Sequence, residues 1–411
     1  MRVVLAPDSF KESMSADRAA RAMAAGVRAV HPDAQCVLRP MADGGEGTLA
    51  VCTSAPGWAA VEVPVAGPLG TPVTALLGWH PDRRLALVES AQAVGVHLVP
   101  PAERDVLRAD SGGVGELLSA ALDLGAKRVV IGLGGTVTSD GGAGLLRALG
   151  VRLLGPGVVR PGAWGPGAET GVLGPGAATG VLGPGAPLGV TGLDATGLDP
   201  RLRRTVLDLA CDVRNPLLGP RGAVAVFAPQ KGATPAQLPV LESTLTALAP
   251  QLDHLRAARL RQDSPRLNGL HTDHDERTPV AALPGAGAAG GLGAALLALG
   301  ARMRSGASVV AEAIGLPDAI PGADLVLTGE GRVDAQTLEG KVVAGVCQLA
   351  RAAGVPVAVL GGSVAQDTRL NRLGAVAIRD LGTGLPLLEA LRRGPELVEQ
   401  ATADLLRTLP G

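Results

Sequence analysis

Residues 127–150 read KRVVIGLGGTVTSDGGAGLLRALG and hold the pattern that decides the fold. The run VVI at 129–131 predicts a short strand that is buried on both faces. Gly134 and Gly135 end that strand, and a polar loop then leads into a segment with the apolar side of a helix. A strand, a glycine-rich loop and a helix in this order are typical of an open α/β sheet, in which ligands bind at the carboxyl ends of the strands.

The loop of residues 134–144 has two interpretations. Its glycines allow backbone N–H groups to approach phosphate oxygens, and the start of the following helix favours negative charge. Alternatively, the glycines serve only the sterics of a tight turn. Ser139 and Asp140 are the candidate functional side chains in this loop.

Composition and charge exclude several classes of protein. A chain of 411 residues is long enough for two domains. A net charge of −1 and the lack of a basic run argue against nucleic-acid binding. The apolar stretch 278–301 contains too much glycine to span a membrane, and residues 1–10 predict a first strand, not a signal peptide. Four widely spaced cysteines without metal-ligand spacing predict thiols in a reducing, cytoplasmic compartment.

Lysine is rare in this chain, with four residues against 33 arginines. Three of the four, Lys11, Lys231 and Lys341, lie in polar loops that contain glycine. A lysine ammonium is a compact charge on a flexible stem and suits contact with a phosphoryl group in transfer. The alternative is that each is a solvated surface residue.

The first 60 residues predict a strand at 2–6, a helix capped by Ser15 and a second strand at 36–38. The second strand leads into PMADGGEGT, where Asp43 and Glu46 lie among glycines. This segment is either a turn with solvated charges or a site where a carboxylate meets a metal ion or a hydroxyl group.

Residues 61–89 contain three short strands with tight turns and predict an antiparallel meander, so a second domain begins near residue 60. A helix is expected at 117–124. After a strand at 206–210 come Asp212 and Asn215, which can bind Mg²⁺ or orient a hydroxyl group. An Asx-turn is the alternative for this pair.

Three further segments are predicted to take no part in catalysis or metal binding. Residues 155–192 are a low-complexity surface loop of Gly, Pro and Ala. A helix at about 235–248 has mixed polarity and is expected on the surface. His271, Asp273, His274 and Asp275 have loop-like spacing and are not favoured as a metal site.

The sequence GAGAAG at 285–290 matches GxGxxG, and an apolar helix follows it. Only a weak strand at 280–283 precedes it, and no acidic residue ends a second strand about 20 residues later. Close helix packing or phosphate contact, with Gly287 at its centre, is therefore favoured over NAD binding.

The last third predicts buried strands at 324–327, 355–360 and 375–378, which indicates a doubly wound region. Glu330, Asp334 and Thr337 follow the first of these strands. The later Gly340–Lys341 pair is not a Walker A motif.

The candidate loops combine glycine with Asp, Glu, Lys, Ser and Thr, without His or Cys. GxSxG is absent from the sequence and no His lies in a comparable loop, which argues against triad hydrolysis, and zinc chemistry lacks ligands. This set of residues suits phosphoryl transfer with Mg²⁺, in which cations cover the phosphates and a carboxylate lies near the attacking hydroxyl group.

Six segments in order strongly resemble the bacterial type I glycerate kinases: APDSFKESMSA, PMADGGEGT, GLGGTVTSDGGAG, ACDVRNPLLGPRGAVAVFAPQKGA, GAGAAGGLGA and ADLVLTGEGRVDAQTLEGK. The resemblance covers residues 3 to about 365. It implies ATP- and Mg²⁺-dependent phosphorylation of D-glycerate, usually at the 2-hydroxyl group. The alternatives are 3-phosphoglycerate as product and, from a different class, an NAD-dependent hydroxy-acid dehydrogenase.

The resemblance also implies an α/β fold of two domains with the active site in the cleft between them. One domain, residues 1–60 and 295–411, has a doubly wound, flavodoxin- or Rossmann-like parallel sheet. The other, residues 61–294, is inserted into it. The partners implied are small molecules, with no nucleic acid and no membrane, and both a monomer and a homodimer stay open.

Roles follow from the resemblance and from the residue types. Lys11 and Lys231 are expected to meet phosphate or carboxylate charge, Asp140 and Glu330 to hold Mg²⁺, and Asp212 or Asp334 to be the base. Further residues are expected to bind substrate or nucleotide: Ser9, Asp43, Glu46, Ser139, Asn215, Gly287 and Thr337. The chain departs from the family at Glu12, where glycine is usual, and in its Gly/Pro repeat.

Overall fold

The computed structural model describes residues 1–45, 47–155, 180–181, 185, 189–262, 277–339, 341–382 and 384–408. Internal contacts divide the chain into two units. The terminal unit consists of Met1–Pro56 and Ser305–Gly411, and the central unit is Gly57–Arg304. The domain bounds predicted from the sequence stay a prediction.

The strands within the described ranges are β1 (Arg2–Leu5), β2 (Gln35–Leu38), β3 (Ala59–Ala66), β4 (Pro72–His80), β5 (Leu85–Glu89), β6 (Arg128–Gly132), β7 (Arg152–Gly155), β8 (Gly180–Val181), β9 (Gly192–Asp194), β10 (Val206–Ala210), β11 (Arg302–Arg304), β12 (Leu325–Val333), β13 (Val357–Val364) and β14 (Ala377–Asp380).

The α-helices over the same ranges are α1 (Ala16–Val30), α2 (Thr48–Thr53), α3 (Ser90–Val94), α4 (Gly112–Asp123), α5 (Ala143–Ala148), α6 (Ala223–Phe227), α7 (Leu238–Gln262), α8 (Leu292–Ala298), α9 (Gly306–Ala313), α10 (Leu316–Ala319), α11 (Val342–Ala352), α12 (Leu387–Arg392) and α13 (Gly394–Thr408).

The terminal unit is built on a five-stranded sheet in the order β14-β13-β12-β1-β2, and all its neighbours are parallel. The predicted parallel α/β sheet is confirmed. From β1 the chain moves one way to β2, and from β12 it moves the other way to β13 and β14. The carboxyl edge between β1 and β12 is therefore the topological switch point, the usual ligand position in such sheets.

Helix α1 shows why this unit folds as it does. The Ser15 side chain accepts a hydrogen bond from Arg18 N, as an N-cap does, and so confirms the predicted cap. Alanines and Met23 line the buried face of the helix, which packs against α13. This burial of apolar surface supplies most of the helix's stability, since an isolated helix of 15 residues is marginal in water.

The central unit contains a six-stranded sheet in the order β11-β10-β6-β5-β4-β3. Strands β11, β10, β6 and β5 are parallel neighbours, whereas β5, β4 and β3 pair antiparallel, as the meander pattern predicted. Strand β6 lies between β5 and β10, and its Val129, Val130 and Ile131 are buried. Residues on both faces of this strand are buried, which explains its continuous β-branched run. A small antiparallel sheet, β8-β7-β9, completes the unit.

Two predicted elements of the central unit are wrong. The helix expected at 235–248 on the surface is α7, which extends to Gln262 through Pro250. Its leucines at 241, 245, 248, 252 and 255 are buried, because their spacing of three or four residues puts them on one face. The weak strand expected at 280–283 is instead a 3-10 turn, Val280–Ala282.

Three element boundaries also differ from expectation. Strand β12 continues beyond 327 to Val333, because Glu330, Arg332 and Val333 pair with β13. Glu330 therefore lies in a strand and not in a loop. Strand β13 likewise includes Gly361, Gly362 and Ser363. Helix α4 begins at Gly112 rather than near 117.

Some predictions fall outside the described residues. These are the role of Glu46, the group of residues 271–275 and most of the low-complexity segment 155–192. None of the helices in the described part of the chain has the length and apolar character needed to cross a membrane.

Candidate active site

The loop that follows β6 holds a buried lysine of the central unit. Lys231 ends a 3-10 turn, Pro229–Lys231, and is 4% exposed. Its Nζ atom donates to the Thr138 carbonyl oxygen over 2.6 Å and to Thr136 Oγ1 over 3.4 Å. Burial lowers the pKa of Lys231 to about 8, and the charge of Asp140 opposes this shift. A cation is thus held next to the strand-end loop.

Two hydroxyl groups of the same loop are buried without partners. Thr138 Oγ1 and Ser139 Oγ have no hydrogen-bond partner among the described residues. Buried polar groups are nearly always hydrogen-bonded, because leaving one unpaired costs about 1–3 kcal/mol. The Thr138 and Ser139 hydroxyls, which lack partners in the described structure, and the nearby Lys231 ammonium group are therefore suited to bind a polar anionic ligand.

The GxGxxG segment packs closely on this loop. A Cβ atom on Gly290 would lie 2.0 Å from the Thr138 carbonyl oxygen and 2.9 Å from Lys231 Nζ. A Cβ atom on Gly287 would lie 2.2 Å from the Pro216 carbonyl oxygen. Glycine is needed at both positions because the backbones touch, so close packing explains the motif. With a 3-10 turn in place of the preceding strand, the dinucleotide fingerprint is incomplete.

Asp140 is fully buried. Its carboxylate accepts four hydrogen bonds from the protein. Oδ2 accepts from Ser111 N (3.0 Å), Ser111 Oγ (2.8 Å) and Gly144 N (3.0 Å), and Oδ1 accepts from Gly142 N (3.1 Å). Burial and then the charge of Asp110 raise the pKa of Asp140. The carboxylate ties the start of α4 to the start of α5, and this arrangement favours a positioning role.

Asp212 and Asn215 follow the carboxyl end of β10, as predicted. Asp212 is exposed. Asn215 Nδ2 donates to the Arg221 carbonyl oxygen over 2.8 Å, and the Asn215 carbonyl oxygen accepts from Gly287 N over 2.9 Å. Asn215 thereby connects the loop after β10 to the glycine segment.

The terminal unit has its own group of polar residues at the carboxyl edge of its sheet. Asp8 follows β1, Asp43 follows β2 and Glu330 lies in β12. Burial raises the pKa of Asp8 to about 7, the Ser9 N–H (2.7 Å) opposes this rise, and Asp43 and Glu330 add to it. Lys11 is exposed and its charge acts on Asp8 and on Glu330. The three carboxylates therefore share one electrostatic environment.

Thr337 connects Glu330 with Asp334. The Thr337 hydroxyl donates to Glu330 Oε1 over 2.6 Å and accepts from Asp334 N over 3.0 Å. The Asp334 carboxylate accepts from Gln336 N over 2.8 Å and pairs with Arg332 at 3.0 Å. Burial raises the pKa of Glu330, and the hydrogen bond from Thr337 opposes this shift. Thr337 is thus a positioning residue for Glu330.

The carboxylates of the terminal unit fit the chemistry of Mg²⁺. Within the residues that the structure covers, no group of three or more His, Cys, Asp or Glu side chains forms a ready metal site. Mg²⁺ usually needs only one or two protein carboxylates, because water and substrate phosphates supply its other ligands. The raised pKa values of Asp8 and Glu330 indicate carboxylates that would gain from a nearby cation.

Sequence reasoning missed two residues of these groups, Asp8 and Thr138. Both lie in segments of the family resemblance, next to the predicted site residues Ser9, Lys11 and Ser139. An acidic residue three positions beyond a buried strand was the available signal for Asp8. Thr138 had no such signal, because its unpaired hydroxyl depends on tertiary burial.

The chain is an α/β protein whose strand-end loops carry lysine, hydroxyl and carboxylate groups, a set that suits phosphoryl transfer. The comparisons with known proteins agree. A family model described as the glycerate kinase family matches residues 3–410. The chain belongs to the glycerate kinase family.

Named relatives match the chain along its whole length. It is 40% identical to the glycerate kinase of Bacillus subtilis (strain 168) over 412 residues, which cover 100% of this chain and 98% of the relative. It is 39% identical to the glycerate 2-kinase of Escherichia coli (strain K12), with the same two coverages. A crystal structure of a proposed glycerate kinase 2 from Salmonella typhimurium LT2 has a TM-score of 0.79 at 38% identity and covers 99% of this chain and 98% of that one.

Proposed function

We propose that this protein transfers the γ-phosphoryl group of ATP to the 2-hydroxyl group of D-glycerate and releases ADP and 2-phosphoglycerate. The observation that carries the proposal is the buried Lys231 ammonium on the loop of Thr138 and Ser139, whose hydroxyls have no hydrogen-bond partner among the described residues, in a chain of the glycerate kinase family. Glycerate is a small carboxylate with two hydroxyl groups, so a cation with nearby hydroxyls matches its functional groups. The name of the Escherichia coli relative supports the 2-hydroxyl group as acceptor.

The central unit is proposed to bind glycerate. Lys231 pairs with the carboxylate, and the hydroxyls of Ser139 and Thr138 supply hydrogen bonds to the substrate. Gly287 N donates to the Asn215 carbonyl oxygen over 2.9 Å and so connects the loop after β10 to the glycine segment that packs on Lys231. Asp140 holds this loop by its four hydrogen bonds. The metal role predicted for Asp140 stays a prediction, and those bonds favour a positioning role instead.

The terminal unit is proposed to bind the nucleotide and Mg²⁺. Glu330 holds the metal ion together with Asp8 or Asp43, and Lys11 and Ser9 meet phosphate oxygens. When bound, Mg²⁺ neutralises charge on the phosphates during transfer. Thr337 keeps the Glu330 carboxylate in place through the 2.6 Å hydrogen bond.

Asp212 and Asp334 are the candidates for the base that accepts the substrate's hydroxyl proton. Asp212 lies after β10 in the unit that carries Lys231. Asp334 accepts a backbone hydrogen bond and pairs with Arg332. Removing the true base should lower kcat by roughly 10²–10⁴-fold. Asp212→Asn and Asp334→Asn, compared in one assay, identify which of the two acts.

The dehydrogenase alternative is not favoured, since the strand that should precede the GxGxxG segment is a 3-10 turn. The experiment is a coupled assay of ADP release with D-glycerate, L-glycerate and water as acceptors, alongside a fluorescence titration with NADH. We expect ADP release that depends on D-glycerate and no saturable NADH binding. NADH binding without ADP release would favour the dehydrogenase.

A cytoplasmic location is part of the proposal. The thiols of the four cysteines, Cys36, Cys52, Cys211 and Cys347, are in the reduced state, and reduced thiols suit a reducing compartment.

A further inference from the structure

A small cavity lies at the carboxyl edge of the sheet in the terminal unit. Its volume is about 120 Å³. Four neighbouring strands contribute to its wall: Phe10 and Lys11 follow β1, Gly331 belongs to β12, Gly362 to β13, and Leu381 follows β14. The cavity therefore lies beside the topological switch point between β1 and β12, where open α/β sheets bind their ligands.

The cavity wall is mainly apolar. Phe10 and Met14 are buried, and Leu381, Leu387, Leu391 and Leu397 add aliphatic surface. At Gly362 and Gly382 the wall is backbone, and these glycines are needed there because a Cβ atom on Gly362 would lie 2.5 Å from the Gly331 carbonyl oxygen. An apolar wall with backbone in place of side chains at two positions suits a flat heterocycle, which offers two faces for packing.

The size of the cavity limits what it can hold. Whole drug-sized ligands fill pockets of about 300–1,000 Å³, so this cavity cannot enclose an entire nucleotide. It is nevertheless far larger than the ~10–15 Å³ that a single water needs. One ring system is the group of matching size.

A positive charge on the cavity wall indicates which kind of group the ring carries. Lys11 lies on the wall, and its charge also acts on Asp8 and Glu330. A ligand whose ring fills the cavity would extend a polyphosphate past Lys11 towards carboxylates suited to Mg²⁺. A nucleoside triphosphate has this distribution of apolar ring, anion and metal.

We propose that this cavity binds the purine base of ATP, with Lys11 as the first contact of its phosphates. The inference rests on the proposed kinase function and adds the position of the nucleotide. Leu387 and Leu388 offer a matched pair for the test. Both are exposed on α12, at 71% and 74%, but only Leu387 lies on the cavity wall.

The experiment measures ATP binding by isothermal titration calorimetry to the full-length protein with Mg²⁺. Leu387→Ala should raise the Kd of ATP by roughly fivefold, the equivalent of about 1 kcal/mol of lost apolar contact. Leu391→Trp fills the cavity and should raise it by roughly tenfold or more. Leu388→Ala should leave it within about twofold. Tripolyphosphate, which lacks a base, should inhibit all three variants and the unaltered protein equally.

Two results would overturn the inference. One is that Leu387→Ala and Leu391→Trp bind ATP as the unaltered protein does. The other is that tripolyphosphate weakens in parallel with ATP. If Leu391→Trp does not fold, as a melting curve would reveal, Leu387→Ala decides alone. Glycerate phosphorylation by the unaltered protein is measured in parallel, so failure of the kinase function is distinguished from failure of the base site.

Discussion

The Nζ atom of Lys231 lies 2.6 Å from the carbonyl oxygen of Thr138, so an ammonium group is held against the main chain of the loop that follows β6. The same loop leaves the hydroxyls of Thr138 and Ser139 unpaired within the described structure. Close contact from Gly290 keeps the loop and the lysine in this arrangement. A substrate carboxylate would complete the hydrogen bonding of all three side chains.

The first prediction concerns the charge of Lys231. Because burial lowers its pKa to about 8, the cation is lost as the pH rises through that value. We expect kcat/KM for D-glycerate to fall above about pH 8. Lys231→Met should lower kcat/KM by about 30-fold or more at pH 7, since unpairing a buried charge costs about 2 kcal/mol or more.

The control is Lys127→Met, which removes an exposed lysine of the same unit and should leave kcat/KM unchanged. A profile that stays flat to pH 9.5 would contradict the role of Lys231 as a titrating cation.

The second prediction concerns Asp140 as a positioning residue. In the unaltered protein the Asp140 carboxylate accepts hydrogen bonds from backbone N–H groups. In Asp140→Asn an amide nitrogen replaces one of the accepting oxygens, so at least one N–H becomes unpaired in the core. We expect the free energy of unfolding to fall by about 1–3 kcal/mol in urea titrations with a chelator present. The exposed Asp33→Asn is the control. Unchanged stability without metal, together with loss of Mg²⁺-dependent activity, would instead support the metal role.

The third prediction concerns Asp8. Its pKa is raised from 3.8 to about 7, so between these values the folded protein holds a proton that the unfolded chain has released. The contribution of Asp8 to the free energy of unfolding therefore falls as the pH rises from about 4 to 7. Asp8→Asn removes this loss and should increase the free energy of unfolding at pH 8, by at most about 4 kcal/mol, with no gain at pH 4.

Urea titrations at both pH values in metal-free buffer measure this effect, and kcat should fall in the same variant. Equal free energies of unfolding of the two proteins at pH 8 would show that burial of the ionised Asp8 carboxylate does not destabilise the fold.

The fourth prediction concerns Glu12, which has a φ of +65°. Residues other than glycine rarely adopt this left-handed conformation. This explains why glycine is usual at the position in the family. Glu12→Gly should stabilise the protein by about 1 kcal/mol, because the strain at this residue is relieved.

Glu12→Ala is the matched control, since it removes the side chain but keeps the Cβ atom and its strain. Thermal melting compares the two variants. Equal melting temperatures would contradict the strain argument.

The sequence predicted the central features of both sheets. The run at 129–131 is a buried central strand, and the meander over 61–89 has the antiparallel pairs expected of it. These predictions succeeded because hydrophobic period and turn residues are local signals.

Other features depend on tertiary contacts and left no such signal. The glycines of β12 and β13 indicated loops, but their backbones pair in register across Glu330 and Gly361. The helix expected to end near residue 248 continues as α7 through Pro250 to Gln262, because five leucines bury one of its faces. The hydrogen bonding of the Asp140 carboxylate likewise depends on Ser111, which is 29 residues distant in sequence.

The most direct test of this account is phosphorus NMR of the product formed from ATP, Mg²⁺ and D-glycerate by the purified protein. We expect one new phosphomonoester signal that co-resonates with added 2-phosphoglycerate, together with an equal amount of ADP. Reaction mixtures that contain only ATP and its hydrolysis products would contradict the proposed function.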